Sequence, residues 1–397
     1  MKEAFIVSGA RTPLGKFGGG LMDVSPVDLG AHAMRAALAR GNVAPEAVDG
    51  YVFGNVVSAG HGQLIARQAA IKAGIPDTID GYHVNMVCSS AMLATMNAVT
   101  HIKAGERDIM VAGGTESMSQ SGFLLRPAAR WGYKYISGKS EPLIDLLDHD
   151  GLTDPLTGER MGDQTERLAA EFGISRADLD EVAFESHRRA AAATDGGKFA
   201  GEIAPYEIQG RKGVTVVDRD EGIRPDTTLE SLAKLRPAFN PDGVITAGNA
   251  SQLTDGAAAL VVASGDAVAA HGLKPIAKVL GSTWAAGPGW RFAAAPIPAV
   301  KQLLDQLGMT VDDIDLFENN EAFAVNSVLF HRELGVPYDK LNVNGGAIAL
   351  GHPIGATGAR LIVTLLAALA DRGKTLGLAT LCHGTGGSTA VVVERVG

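Results

Sequence analysis

Cysteine is almost absent from this chain: of 397 residues, only Cys88 and Cys382 carry a thiol. A disulfide framework is therefore excluded, and neither cysteine sits in a CxxC pair of the kind that holds zinc or exchanges electrons. Aromatic residues are scarce too, at 5%. No apolar run approaches the ~20 residues that cross a bilayer, so no membrane span is expected. Residues 1–8 read straight into a strand without a leader's apolar core and cleavage site, and residues 394–397 match no retention or peroxisomal tripeptide. Charged residues are few, 20%, with a net charge of −9, which argues against nucleic acid as a main partner. The expectation is a cytoplasmic globular protein of two or three domains, at ~150 residues per domain.

What is abundant is glycine, 50 residues, or roughly 13% against an average of about 7%. Charge is unevenly spread: residues 121–240 hold 37 of the 79 charged residues, twice the density elsewhere. That stretch reads as an inserted α/β segment, with a helix capped by Ser175 and Asp178 and an apolar face of Leu179, Val182, Ala183 and Phe184. The charge-poor remainder repeats itself. Val84-Asn85, a Cys-containing loop, an apolar helix over 89–104 and a strand over 108–112 recur 259 residues later as Val343-Asn344, a His-containing loop, a helix over 355–370 and a strand over 375–381. A weaker echo pairs residues 45–49 with 311–315. This pattern predicts a duplicated α/β chain: 1–120 with 241–270 as one half, 271–397 as the other, and 121–240 inserted. Both repeated helices are apolar nearly all round, so they belong between sheets, which predicts a five-layer αβαβα core.

Three positions can carry chemistry. Cys88 stands where an extended segment meets a helix start, where the helix dipole would lower a thiol pKa; its plainer reading is a small buried hydrophobe. His352 lies in the glycine-rich counterpart of the Cys88 loop, so a pseudo-twofold would bring the two together, as thiol activation requires. Cys382 enters Gly384-Thr385-Gly386-Gly387 after an apolar strand; it is either an acid/base thiol beside oxyanion-binding amides or part of a plain turn or phosphate loop. No metal site is read. The stretch Gly9 to Phe17 imitates a phosphate loop but has five residues between its glycines and Phe17 where Ser or Thr is required.

Taken together, several segments make the whole chain resemble the thiolase family. They are Ala10-Arg11-Thr12-Pro13, Ala112-Gly113-Gly114-Thr115-Glu116-Ser117, Thr246-Ala247-Gly248-Asn249-Ala250-Ser251, Asn320-Glu321-Ala322-Phe323 and the GHPxGxTG run at His352. The resemblance implies a CoA-dependent acyltransferase without a permanently bound cofactor. Cys88 would carry the acyl group, and His352 would activate it and, with a water held by Asn320, stabilise an enolate oxygen. Cys382 would move the α-carbon proton, and the amides of Cys88 and Gly384 would form a second oxyanion hole. Leu152, Met161, Arg224, Phe239, Ala247 and Ser251 match positions that contact coenzyme A, and Ala322 and Phe323 face the acyl end. A homodimer, or a dimer of dimers, is implied.

Departures from the family pattern carry their own expectations. Ala91 stands for a usual glycine, His383 and Thr385 alter the Cys-x-Gly-Gly-Gly run, and Arg160 replaces a histidine of short-chain biosynthetic members. Ser251-Gln252 leans toward members that degrade longer 3-ketoacyl chains, with biosynthesis of acetoacetyl-CoA as the alternative. Residues 126–139 match the usual tetramerisation loop poorly. His383 either tunes Cys382 or meets the acyl group, or else points away, since neighbours on a strand face opposite sides. A decarboxylating ketosynthase would need a histidine at Asn320 and no thiol at Cys382. A non-catalytic acyl-CoA carrier would be expected to lack one of the four reactive groups.

Overall fold

The computed structural model describes residues 2–132, 142–211 and 213–396. The expectation about residues 126–139 therefore lies half outside the described residues, over 133–139.

Nine strands form the body of one sheet, in the order Gly81–Val84, Gly50–Gly54, Ile109–Ser117, Thr254–Ser264, Ala4–Arg11, Ala277–Ala286, Gly387–Arg395, Leu376–His383 and Leu316–Asn319. The order is the duplication made visible. Each half places its strands in the same sequence, and the halves meet where Phe5 pairs with Lys278 and Ile6 with Ala277. The two sheets expected from the sequence are thus joined along one short antiparallel seam. The counterpart of Gly81–Val84 in the second half has shrunk to a single parallel bridge between Phe317 and Leu341.

The five layers follow from the period of two along each strand. Ala112, Leu260, Val262, Val391 and Val393 face one shared core with the helices Ser90–Ala104 and Thr357–Asp371. Their neighbours Val111 and Val261 face the outer helix Pro26–Gly41, and Val392 faces the outer helix Pro296–Leu307. The inner helices form because their segments are rich in Ala, Leu and Met, and the first stops at Gly105, whose left-handed φ of 77° lets its N–H close on His101 and Ile102. They approach closely at their N-terminal ends: a Cβ on Gly358 would lie 2.3 Å from the Met92 nitrogen.

The repeat also holds in its hydrogen bonds. Asp49 accepts from the N–H groups of Asp108 and Ile109, and Asp315 accepts in the same way from Thr375 and Leu376. The turns Pro45–Ala47 and Val311–Asp313 match as expected. The offset, however, grows from 259 residues at Val343 to 267 at the inner-helix starts, because the second loop carries an extra helical turn, Ala347–Leu350.

Within 121–240, the Ser175–Asp178 capping box starts the helix Arg176–Asp195 as expected. Fully buried Arg11, in the phosphate-loop imitation, forks onto Asp220 at 2.7 and 2.9 Å and reaches Glu202 at 2.9 Å, which ties the first strand to this segment. Among the described residues, no helix is long and apolar enough to cross a membrane.

Glu116, buried on Ile109–Ser117, binds the two halves together. Its carboxylate accepts from the N–H groups of Val56, Val57 and Gly355 and from the Asn55 amide, all between 2.9 and 3.1 Å. Burial raises this carboxyl to about 7 against the pull of those donors. Glu116→Gln would set an NH2 against two of the N–H donors. It is expected to cost about 3 kcal/mol in urea unfolding, from buried donors left unpaired; a loss under ~0.5 kcal/mol would contradict this account.

Candidate active site

The nucleophile candidate sits on a sharp corner. After Gly81–Val84 the chain turns through Val87, whose φ of +49° is rare for a β-branched residue, and enters the helix Ser90–Ala104. The corner is held by side chains: Asn85 Oδ1 accepts the Val87 N–H, and Ser90 Oγ accepts the Met86 N–H while donating to Val87 O. Such a conformation costs about 1–3 kcal/mol and persists only where its surroundings enforce it. Its effect is to set Cys88 at the mouth of the buried helix.

Burial pushes the Cys88 thiol up, nearby Cys382 adds to the rise, and the Gly384 N–H on the sulfur opposes it. The lowering expected from the helix start is therefore overturned. A helix N-terminus contributes up to ~2 kcal/mol, less than the loss of hydration in this enclosed position. Cys88 rests as a neutral thiol.

His352 comes from the longer second loop. Its backbone N–H is fixed on Gln252 O and Thr254 Oγ1, and Gly351 precedes it at φ +112°, where a Cβ would strike Thr254. Its tautomer follows from one chain of hydrogen bonds. Thr357 Oγ1 donates to Pro353 O at 2.9 Å, so it must accept from His352 Nδ1–H at 2.7 Å. Nε2 then keeps its lone pair and faces the Asn320 amide at 3.4 Å. Burial, with Arg360 adding to it, holds the imidazole down at about 3, so it is neutral at physiological pH. Asn320 Oδ1 is buried without a hydrogen-bond partner among the described residues.

Cys382, fully buried, receives the Asn326 amide on its sulfur at 3.3 Å; burial pushes it up to about 12 against that donor. A cavity of about 210 Å³ opens on Cys88 and His352. Leu152, Met161, Phe239, Ser251, Ala322 and Phe323 line it as well, together with Arg160, Met118 and Ile354. Arg160 lays its guanidinium 5.2 Å from the Phe239 ring centre and bonds Asp163 at 3.0 Å. A larger cavity, about 480 Å³, lies between the helices Arg176–Asp195 and Ala324–Leu334 and holds none of the reactive groups. Among the described residues, no three His, Cys, Asp or Glu converge to hold a metal.

Comparison with known proteins shows the family. The family model for the thiolase N-terminal domain matches residues 4–266, and that for the thiolase C-terminal domain matches 273–395. The chain belongs to the thiolase family. It is 63% identical over 396 residues to an acetyl-CoA acetyltransferase of Synechocystis, with 100% of both chains covered. Human mitochondrial 3-ketoacyl-CoA thiolase superimposes with a TM-score of 0.96 at 39% identity, covering 100% of this chain and 99% of that one. Acat5 thiolase of Ascaris suum, solved in complex with coenzyme A, gives 0.93 at 40% identity, with 100% of both covered. This thiolase-family protein is an acyltransferase enzyme with the expected layered α/β fold.

Of the thirteen residues singled out in the sequence, eight line the cavity. Asn320, Cys382 and Gly384 stand behind it, reaching His352, Asn326 and the Cys88 sulfur. Arg224 and Ala247 are exposed and off its wall. His383 faces away from Cys382 along the strand, its ring against Gly387. Sequence reasoning missed Thr357 and Asn326; the only signal was a hydroxyl five residues beyond His352. Thr357→Val is expected to lower kcat about 10²-fold with little change in KM, by freeing the imidazole to adopt the wrong tautomer. Thr357→Ser should retain most activity; equal losses in both variants would contradict this role.

Proposed function

We propose that this thiolase interconverts a 3-ketoacyl-CoA plus coenzyme A with acetyl-CoA plus a shortened acyl-CoA, through an acyl group carried on Cys88. The observation that carries the reading is the Thr357-fixed tautomer, which leaves His352 Nε2 unprotonated, beside the Asn320 amide at 3.4 Å, at the cavity of Cys88. In thiolysis, Cys88 Sγ attacks the 3-keto carbon and its proton passes to His352 Nε2. The bond between carbons 2 and 3 breaks, and the departing enolate carbon takes the proton of Cys382. In the second half, the coenzyme A thiol gives its proton to Cys382 and attacks the Cys88 thioester, and Cys88 recovers its proton from His352. Condensation is the reverse. The charge of the enolate thioester oxygen needs donors already oriented, which His352 and the Asn320 site would supply, while the Cys88 and Gly384 amides would bind the oxyanion at the keto carbon.

Ser251-Gln252 favours degradation of longer chains, but two observations favour a short acyl group. The cavity is only about 210 Å³, and the 63% identical relative is named an acetyl-CoA acetyltransferase. We adopt the short-chain reading, with the long-chain degradative one as the alternative. The exposed Leu152–Arg160 side of the cavity and Arg224 would meet the coenzyme A moiety. We keep the division into 1–120 with 241–270, the insertion 121–240 and 271–397. The open sheet edge at Gly81–Val84 supports a homodimer, or a dimer of dimers. Two thiols that must stay reduced suit the cytoplasm.

Cys88→Ala is expected to abolish protein-bound label from [14C]acetyl-CoA and to reduce thiolysis by ~10⁴-fold or more. Label retained in that variant would refute the acyl-enzyme, and unlabelled wild-type protein would favour a carrier. In a chain-length series of 3-ketoacyl-CoA substrates, kcat/KM should be highest for acetoacetyl-CoA; a maximum at eight carbons or more would reverse the choice. With the base lowered to about 3, protonation should not remove it until far below the ordinary histidine range. The log of kcat/KM should therefore stay level from about pH 7.5 down to 5.5, and an inflection near 6.5 would remove His352 as the base.

A further inference from the structure

The amide of Gly384, close enough to the Cys88 thiol to oppose the rise in its pKa and packed beside Val87 and Met161, belongs to a residue with no side chain to hold it. What fixes it lies on either side. On the preceding side, His383 is the last residue of Leu376–His383 and is registered against Gly387. On the following side, the Gly384 carbonyl accepts two hydrogen bonds, from His383 Nδ1 at 2.7 Å and from Thr385 Oγ1 at 2.5 Å. A carbonyl oxygen can only accept, so His383 is the Nδ1–H tautomer, and both lone pairs of the oxygen are taken. Thr385 reaches this position at φ +68°, a left-handed conformation strained for a β-branched residue. The ring of His383 fits only because residue 387 is glycine: a Cβ there would lie 2.2 Å from Cε1 and Nε2. His383, Thr385 and Gly387 therefore form one set, and the Gly384 N–H sits between two pinned points.

We propose that His383 and Thr385 are positioning residues that clamp the Gly384 carbonyl and so keep the Gly384 amide aimed at the acyl group on Cys88. The proposal rests on the Cys88 acyl-enzyme reading. His383 acts here neither on Cys382, which lies on the other face of the strand, nor on the acyl chain, since it does not line the cavity. Thiolase chemistry needs this amide to meet a carbonyl oxygen as charge develops, and a loose donor would have to be oriented within each turnover.

The test is single-turnover acylation with [14C]acetyl-CoA, alongside steady-state thiolysis. His383→Ala should slow acylation 10- to 100-fold and lower kcat with KM nearly unchanged. His383→Asn, whose amide nitrogen can donate from the place of Nδ1, should return to within about 3-fold of wild type. Thr385→Gly relieves the strained φ, so its unfolding midpoint should not fall, yet acylation should slow. Gly387→Ala, which displaces the ring, should mimic His383→Ala. Full acylation rates in His383→Ala and Thr385→Gly would overturn the clamp, as would an Asn variant as slow as Ala. If His383→Ala fails to fold, the Thr385→Gly and Asn variants decide alone. Failure of the wild-type protein to take up label on Cys88 would instead refute the acyl-enzyme and the clamp with it, so the two failures are distinct.

Discussion

The site depends on a single buried carboxylate. Glu116 stands on a strand of the first half, yet one of its oxygens takes an N–H from Val56 and another from Gly355, in the loop that precedes the second inner helix. The loops it joins form the wall next to the reactive groups: Ile354 lines the cavity, and Val56 and Val57 belong to the same core as Cys88. A buried charge is tolerated only where its hydrogen-bonding capacity is filled, and here four donors fill it. Removing it would leave three backbone amides of two different loops unpaired in the protein interior. The loops of the two halves would then lose the tie that this carboxylate supplies next to the nucleophile and the base.

Burial also decides the electrostatics. It raises both thiols and lowers His352, so every reactive group is neutral at rest, and the dipole of the Ser90–Ala104 helix is too weak to reverse this. A preformed thiolate–imidazolium pair is disfavoured in such a place. On the proposed acyl-enzyme route, charge would separate only as the sulfur–carbon bond forms, with oriented amides and the Asn320 side chain to receive it. The same dry surroundings that make the resting thiol unreactive are what strengthen those donors at the moment of reaction.

Much of this was legible in the sequence. The repeat showed itself in residues 45–49 and 311–315 because Asp49 and Asp315 each accept two backbone N–H groups at the entrance to a strand, a task few other residues perform. The all-apolar inner helices announced the layers. The seam at Phe5 and Ile6 was not legible, because edge strands of two sheets carry the same alternation whether or not they pair. Nor were Glu116, Asn326 and Thr357, whose importance lies in what their side chains touch across 239, 56 and 5 residues of chain. Arg224 and Ala247, taken from resemblance, are exposed and off the wall of the Cys88 cavity.

Duplication alone would not have produced a catalyst. Two equal halves bring two equal loops to the N-termini of two touching helices, and equal loops offer two nucleophiles or two bases. The asymmetry comes from eight residues of length. In the first half the chain passes from strand to helix through the strained corner at Val87, short enough to leave only the Cys88 sulfur at the cavity. In the second, the extra turn Ala347–Leu350 lets the chain run around Gln252, whose amide holds the Ile348 and Ala349 carbonyls, and return with His352 facing the same cavity. The lengthened loop also brings Thr357 to the start of its helix, where a hydroxyl can fix the imidazole. On the proposed route one half would supply the atom that attacks and the other the atom that takes its proton, because the two loops differ in length.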